Sequence, residues 1–156
     1  MVEKVQRKNP PVTIARMIKL KRKKQPTCIP PEFFENFKPE DTKKRWAIMI
    51  LAPATKIIRI IPTKSSKVLK LKIEYSNTDF LAELGEYFIK NSIKMIYSTG
   101  ICPRMDVSQC PYGMWTPCPF YMYVDSFDLP ISEDQLKSEL CAKSSINNVE
   151  IAEVDT

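Results

Sequence analysis

The stretch Val68–Tyr75, VLKLKIEY, alternates apolar and polar side chains along most of its length. Alternation with a period of two predicts a β-strand that turns one face toward a core. The residues after this strand repeat apolar side chains at helical spacing, which predicts an amphipathic helix. Its inward stripe is expected to comprise Phe80, Leu81, Leu84 and Phe88, and its cap one of Asn77, Thr78 and Asp79.

Downstream of this helix the pattern returns to strands. Residues 93–97 and 119–124 are rich in β-branched and aromatic side chains, and each predicts a strand. Residues 132–135, SEDQ, form a capping box that opens a second helix, in which Leu136 and Leu140 are expected to face inward. Residues 149–154 predict a last strand. The resulting order, βαββαβ, is that of the ferredoxin-like split arrangement.

Upstream of Val68, three further strands are predicted. Residues 17–21, MIKLK, alternate apolar and basic side chains, as in a strand with one buried and one charged face. Residues 46–51 and 56–61 are apolar runs joined by the turn-forming residues 52–55, APAT, which predicts a β-hairpin. Prolines and phenylalanines at residues 28–37 predict a helix of one or two turns. The predicted fold class is therefore α+β.

The net charge differs between the elements predicted before Val68 and those predicted from Val68 onward. Residues 1–67 contain 17 Lys/Arg and 5 Asp/Glu, a net charge of +12, whereas residues 68–156 contain 7 and 13, a net charge of −6. A basic surface raises the local concentration of phosphate groups, and an acidic surface lowers it. The N-terminal half is therefore expected to bind a polyanion, double-stranded DNA in the first place. The alternative is a basic face that is merely solvated.

The composition argues against catalysis. Histidine is absent, and the three glycines stand at positions 85, 100 and 113. A histidine base, a histidine metal ligand and a glycine-rich phosphate loop therefore cannot be assembled, and we expect no enzyme. The chain has no apolar run long enough to span a membrane, and charged residues stand where a secretory signal would need apolar ones. A soluble cytoplasmic protein is expected.

One family resemblance lies in the N-terminal half. Residues 24–33, KQPTCIPPEF, are followed by residues 38–41, KPED, and by a hairpin that closes on Pro62. This order of a basic strand, Ile-Pro, a short helix, Pro-x-Asp and a hairpin resembles the SpoVT/AbrB family of swapped-hairpin DNA-binding domains over residues 16–63. The resemblance implies an obligate dimer whose interleaved hairpins form one small β-barrel, with basic loop residues along the DNA.

A second resemblance begins at the end of the strand predicted at residues 68–75. Residues 75–84, YSNTDFLAEL, resemble the opening of ACT domains, in which a D-N-x-G-x-L-A-x-L pattern joins the first strand to the first helix. The resemblance covers residues 68–154 and implies a regulatory module that pairs edge to edge with a second copy and binds a small effector. The positions that it implies for the effector are Ser76, Asn77, Thr78, Asp79, Ser98, Thr99 and Gly100.

The predicted organisation has four parts. A basic arm (1–15) precedes an AbrB-like DNA-binding domain (16–63), and a polar linker (64–67) leads to an ACT-like regulatory domain (68–156). The regulatory domain carries a Cys-Pro-rich insertion at residues 101–119.

Three Cys-Pro pairs stand in that insertion, at Cys102, Cys110 and Cys118. Their thiolates could bind zinc or an iron–sulfur cluster, with Cys28, Cys141, a carboxylate or water as a fourth ligand. They could instead form one disulfide beside a redox-sensing thiol. The third interpretation is an inert loop whose small thiols are simply buried.

These observations lead to one functional hypothesis and two alternatives. We expect a homodimeric DNA-binding transcriptional regulator whose C-terminal domain senses a ligand or a redox state. The residues expected to contact DNA are Lys19, Lys21, Arg22, Lys23, Lys24, Gln25, Lys43, Lys44 and Arg45. The alternatives are an antitoxin-like module that binds a partner protein and a metal- or cluster-binding protein centred on Cys102, Cys110 and Cys118.

Overall fold

The computed structural model describes residues 13–19, 46–52, 56–99 and 119–156. Within these ranges the chain is a mixed α+β protein with two antiparallel sheets and two α-helices, which confirms the predicted class. The predicted short helix at residues 28–37, most of the basic arm and nearly all of the cysteine insertion lie outside the described residues. Across the described ranges, no helix is long and apolar enough to cross a membrane.

The first sheet contains three strands in the order β1-β2-β3. They are β1 (Ile14–Lys19), β2 (Trp46–Ala52) and β3 (Ile57–Thr63). Their β-branched and aromatic side chains suit a pleated surface that packs on one face. Both strand pairs are antiparallel, and the pairing of β2 with β3 confirms the strands of the predicted hairpin.

The second sheet contains four strands in the order β5-β6-β4-β7, and all neighbours are antiparallel. They are β4 (Val68–Tyr75), β5 (Met95–Thr99), β6 (Phe120–Asp125) and β7 (Ile146–Glu153). Helix α1 (Phe80–Lys90) connects β4 to β5. After a short 3-10 helix (Ser126–Asp128), helix α2 (Glu133–Cys141) connects β6 to β7. The two β-α-β units are β4-α1-β5 and β6-α2-β7. In the sheet, β6 lies between the strands of the first unit and β4 lies between the strands of the second, which is the split arrangement.

One face of the second sheet forms the main core with both helices. Alternate residues of β4, namely Leu69, Leu71 and Ile73, are fully buried there. The ring of Phe80, at the start of α1, stacks on Tyr75 with their centres 4.0 Å apart. Each apolar side chain buried in this way contributes about 1.5–3 kcal/mol. The alternation that predicted β4 thus directs its apolar residues toward the helices.

The opposite face of the second sheet packs against the first sheet. One buried cluster takes its members from both sheets: Met17, Ile48, Ile50, Val68, Tyr123 and Val154. The hydroxyl groups of Thr13 and Tyr123 lie 2.7 Å apart, and the N–H of Met17 donates to the carbonyl of Asp155 at 2.8 Å. The two sheets therefore share a second core, and hydrogen bonds join them.

Residues 64–67, predicted as a linker, connect β3 to β4 in a turn arranged around Asp125. The side chain of Asp125 is buried and accepts hydrogen bonds from the N–H of Lys64 at 2.6 Å and the N–H of Phe127 at 3.1 Å. The hydroxyl of Ser65 lies 2.6 Å from the same carboxylate. Because a buried carboxylate is stable only when it is hydrogen-bonded or paired, Asp125 and the turn depend on each other.

Two side chains lie on a different face from the one predicted. In β1, Met17 is the buried residue and Ile18 is half-buried on the other face, because the shared core is built around Met17. In α1, Leu81 is 37% exposed, whereas Tyr87 is buried. The buried stripe of α1 follows positions 80, 84, 87 and 88, so position 81 falls outside it.

Candidate nucleic-acid interface and effector positions

Lys19, the first of the predicted DNA-binding residues, lies at one end of the first sheet. β1 ends at Lys19, β2 begins at Trp46, and these two residues are direct partners in the ladder. Partners in an antiparallel ladder have Cα atoms about 5 Å apart. The chain therefore leaves the sheet toward the basic residues 21–24, and returns from the basic residues 43–45, at neighbouring points.

Among the predicted DNA-binding residues, Lys19 lies in the part of the chain that the structure describes. Its ammonium group lies 5.8 Å from the centre of the Trp46 ring, and that ring packs against the shared core. A cation over an aromatic face at an exposed site gains about 0.5–1 kcal/mol. Residues outside the described ranges are Lys21, Arg22, Lys23, Lys24, Gln25, Lys43, Lys44 and Arg45.

Two lysines of the turn that follows β3 are paired with carboxylates. Lys64 Nζ lies 2.6 Å from Asp128 Oδ1, and Lys67 Nζ lies 2.7 Å from Glu133 Oε1. The hydrogen bond with Glu133 raises the pKa of Lys67. These pairs offset the positive charge of the turn. The attraction of a polyanion is therefore expected from the basic residues next to β1 and β2.

The predicted effector positions Ser76–Asp79 form an exposed turn between β4 and α1. The side-chain oxygen of Asn77 accepts from the N–H of Asp79 at 2.8 Å, and the N–H of Ser76 donates to the carbonyl of Ser145 at 3.0 Å. Asp79 stands at the N-cap of α1 without a capping hydrogen bond from its side chain. Several hydrogen-bonding groups of this turn are therefore already engaged in contacts that fix its own conformation.

Ser98 and Thr99, the other described effector positions, lie on β5 and are half-buried. Strand β6 separates β5 from β4, so the strands that carry the two groups are about 10 Å apart. No described hydrogen bond joins Ser98 or Thr99 to the turn at 76–79. The structure thus places the two groups on separate strands, and Gly100 lies outside the described residues.

Two contacts between a cation and a tyrosine of the second sheet were not predicted. The guanidinium carbon of Arg59 lies 5.3 Å from the centre of the Tyr97 ring, and Lys70 Nζ lies 4.6 Å from the centre of the Tyr121 ring. The alternation of β4 was a usable signal, because it places Lys70 on the face opposite the main core. The contact of Arg59 depends on the packing of the two sheets, for which the sequence carries no local signal.

The three cysteines for which metal binding or a redox role was predicted lie outside the residues that the structure describes. Cys102, Cys110 and Cys118 lie between the end of β5 at Thr99 and Pro119, just before β6. Cys141 is described, and its thiol is free and exposed at the end of α2. Within the described ranges, no group of three or more His, Cys, Asp or Glu side chains could hold a metal ion.

Comparison with known proteins adds no relative. No family model, no curated protein and no solved structure matches this chain.

Proposed function

We propose that this protein is a homodimeric DNA-binding transcriptional regulator. Its N-terminal half is a swapped-hairpin domain of the SpoVT/AbrB type, and its C-terminal half is an ACT-type module that senses a small molecule or a redox state. The observation that carries the proposal is the pairing of Lys19 with Trp46. This pairing anchors two basic segments at one end of one sheet, where their charges act on the same polyanion.

The outer face of the first sheet supports self-association. One cross-strand row on this face consists of Ile14, Leu51 and Ile58, and the next consists of Arg16, Met49 and Ile60. Ile14 is 45% exposed and Ile58 is 60% exposed. Adjacent apolar side chains left open to water mark an interaction surface, because their burial is favourable. A second copy of the same sheet would cover them.

The strand order of the second sheet supports the regulatory half of the proposal. A split sheet of four antiparallel strands with both helices on one face is the arrangement expected for an ACT-type module. Its outer strands are β5 and β7, which leave edges for pairing with a second copy. A sensor of this kind would act on DNA binding through the core that the two sheets share.

A titration of the protein against labelled duplex DNA at several salt concentrations tests this function. Counterion release predicts that the logarithm of the binding constant falls linearly with the logarithm of salt concentration. Each phosphate contact contributes about 0.9 to that slope. Absence of duplex binding, or binding that does not respond to salt, would contradict the proposal.

The same apolar face favours one other candidate, a module that binds a partner protein. Ile14 and Ile58 would then pack against the partner instead of a second copy. Purification of the protein from its own cells, followed by sizing of the complex, separates the two functions. A stoichiometric partner protein together with no duplex binding would favour this candidate, and a homodimer that binds duplex would exclude it.

A further inference from the structure

The two residues after β7 connect the second sheet to the first. The N–H of Val154 donates to the carbonyl of Val68 at 2.9 Å, which continues the pairing of β7 with β4. The carbonyl of the next residue, Asp155, accepts from the N–H of Met17 on β1 at 2.8 Å. Residues 154–155, which we call the strap, therefore lie between one strand of each sheet.

A buried side chain and an exposed ion pair hold the strap in place. Val154 is 5% exposed and belongs to the core that the two sheets share, together with Met17 and Val68. The guanidinium of Arg16 lies 3.3 Å from the carboxylate of Asp155, and both side chains are mostly exposed. Because an exposed ion pair contributes little to stability, the strap depends mainly on Val154 and on its backbone hydrogen bonds.

The strap contacts β1 close to the point where the basic segment begins. Met17 is two residues before Lys19, about 7 Å along a strand, whereas Thr13, which bonds Tyr123, is about 20 Å from Lys19. β1 is an outer strand of the first sheet, and β2 is its neighbour on one side. Because the N–H of Met17 donates to Asp155, the strap fixes the other side of β1.

The opposite end of β7 contacts the turn predicted to bind an effector. The carbonyl of Ser145, which immediately precedes β7, accepts from the N–H of Ser76 at 3.0 Å. β7 and the strap therefore run from this turn to β1, a length of about 30 Å. A molecule bound at the turn would act on the beginning of the strand whose far end holds β1.

A binding segment loses less conformational entropy when its position is already fixed before binding, and it then binds more tightly. We propose that the strap is the link through which the second sheet controls DNA binding. While Asp155 holds Met17, the basic segment after Lys19 leaves the sheet from a fixed point. Displacement of β7 breaks this hydrogen bond, releases that end of β1 and lowers the affinity for duplex. The inference deepens the proposed function and rests on it for the DNA-binding step.

Two variants that both remove the Asp155 carboxylate test the strap in a duplex titration. Deletion of residues 154–156 also removes the backbone acceptor and the buried Val154, whereas Asp155→Asn leaves both in place. On charge alone, each change should slightly tighten binding, because an acidic group beside a basic segment is lost. The strap predicts the opposite for the deletion, a loss of at least about fivefold in affinity. The slope against salt should stay unchanged, because no phosphate contact is removed.

Hydrogen exchange of the isotope-labelled protein tests the strap without DNA. In the deletion variant, the amide of Ile18, whose ladder partner is Ala47 on β2, should exchange at least about tenfold faster. The amides of β6 should keep their rates, because the main core is unaltered. If the deletion variant does not give a dispersed amide spectrum, Val154→Ala replaces it and should show the same changes at smaller size.

Unchanged exchange at Ile18 would overturn the inference, as would an equal acceleration in β6. A deletion variant that binds duplex as tightly as Asp155→Asn would also overturn it. If the unaltered protein does not bind duplex, the proposed function fails, and the exchange measurement still decides whether the strap fixes β1.

Discussion

The hydroxyl groups of Thr13 and Tyr123 share a buried hydrogen bond of 2.7 Å between the two sheets. Thr13 immediately precedes β1, and Tyr123 lies in the middle of β6. The sheets are therefore joined by a polar contact within their common apolar core, and we expect them to unfold together.

Removal of the Tyr123 hydroxyl should weaken this contact. Tyr123→Phe leaves the Thr13 hydroxyl buried without its partner, which should lower the free energy of unfolding by about 1 kcal/mol. Urea denaturation of Tyr123→Phe, Thr13→Val and the double variant measures the coupling between the two groups. We expect the double variant to lose less than the sum of the single losses. Strict additivity would show that the hydrogen bond does not stabilise the protein.

Asp125 should be essential for the turn between the sheets. Asp125→Ala removes the acceptor for the N–H groups of Lys64 and Phe127 and for the hydroxyl of Ser65, and should cost about 3 kcal/mol of unfolding free energy. Thermal denaturation measures this loss against Asp134→Ala, which removes an exposed carboxylate from α2. Equal stability of the two variants would rule out a structural role for Asp125.

Glu83 should make stability depend on pH in the acid range. The hydroxyl of Ser144 donates to its carboxylate at 2.7 Å, and this hydrogen bond lowers the pKa of Glu83 below its ordinary value of 4.5. A carboxyl group whose pKa is lower in the folded state stabilises the fold above pH 4.5 and loses that effect as pH falls through the folded pKa.

The stability of the unaltered protein should therefore exceed that of Glu83→Gln at neutral pH. The difference should disappear in acid, and urea denaturation as a function of pH measures it. Glu86→Gln, an exposed position on the same helix, is the control and should show no such trend. A difference that persists unchanged below the folded pKa would contradict the role given to Ser144.

Ile58 should contribute to self-association. A lysine at this 60% exposed position would place a charge on the outer face, at the outer strand β3, and the dimer should weaken by at least about tenfold. Sedimentation equilibrium of Ile58→Lys provides the measurement. The control is Ile89→Lys, an 82% exposed position on α1. Weaker association of the Ile89 variant with an unchanged Ile58 variant would assign the interface to α1 instead.

The local pattern of the chain predicted several elements well. Strand β4 has the bounds Val68–Tyr75 that its alternation indicated, and Ser132 accepts a hydrogen bond from the N–H of Gln135, as expected of a capping box. These features depend on interactions between residues close in sequence. Such interactions act wherever the segment finally packs.

The relationships that local pattern missed are tertiary. Met17 is buried in the shared core and Ile18 is not. The packing of the two sheets also places Arg59 of one sheet over the ring of Tyr97 of the other. Lys70 and Lys72 look equivalent in the sequence. Only the register with β7 shows that Glu150 lies directly opposite Lys72, so that among the described residues Lys72 has a carboxylate partner and Lys70 has none. DNA binding stays a prediction based on charge and on the position of the strand ends.

The most direct test of that prediction compares salt dependence in two charge-matched variants. Lys23→Ala/Lys24→Ala removes two cations from the basic segment after β1, and Lys94→Ala/Lys137→Ala removes two exposed cations elsewhere. If the basic segment contacts DNA, the first variant should bind duplex more weakly, and the slope of log binding constant against log salt should fall by about 2 in magnitude. The second variant should match the unaltered protein. Equal slopes for both variants, or no duplex binding by the unaltered protein, would contradict the account.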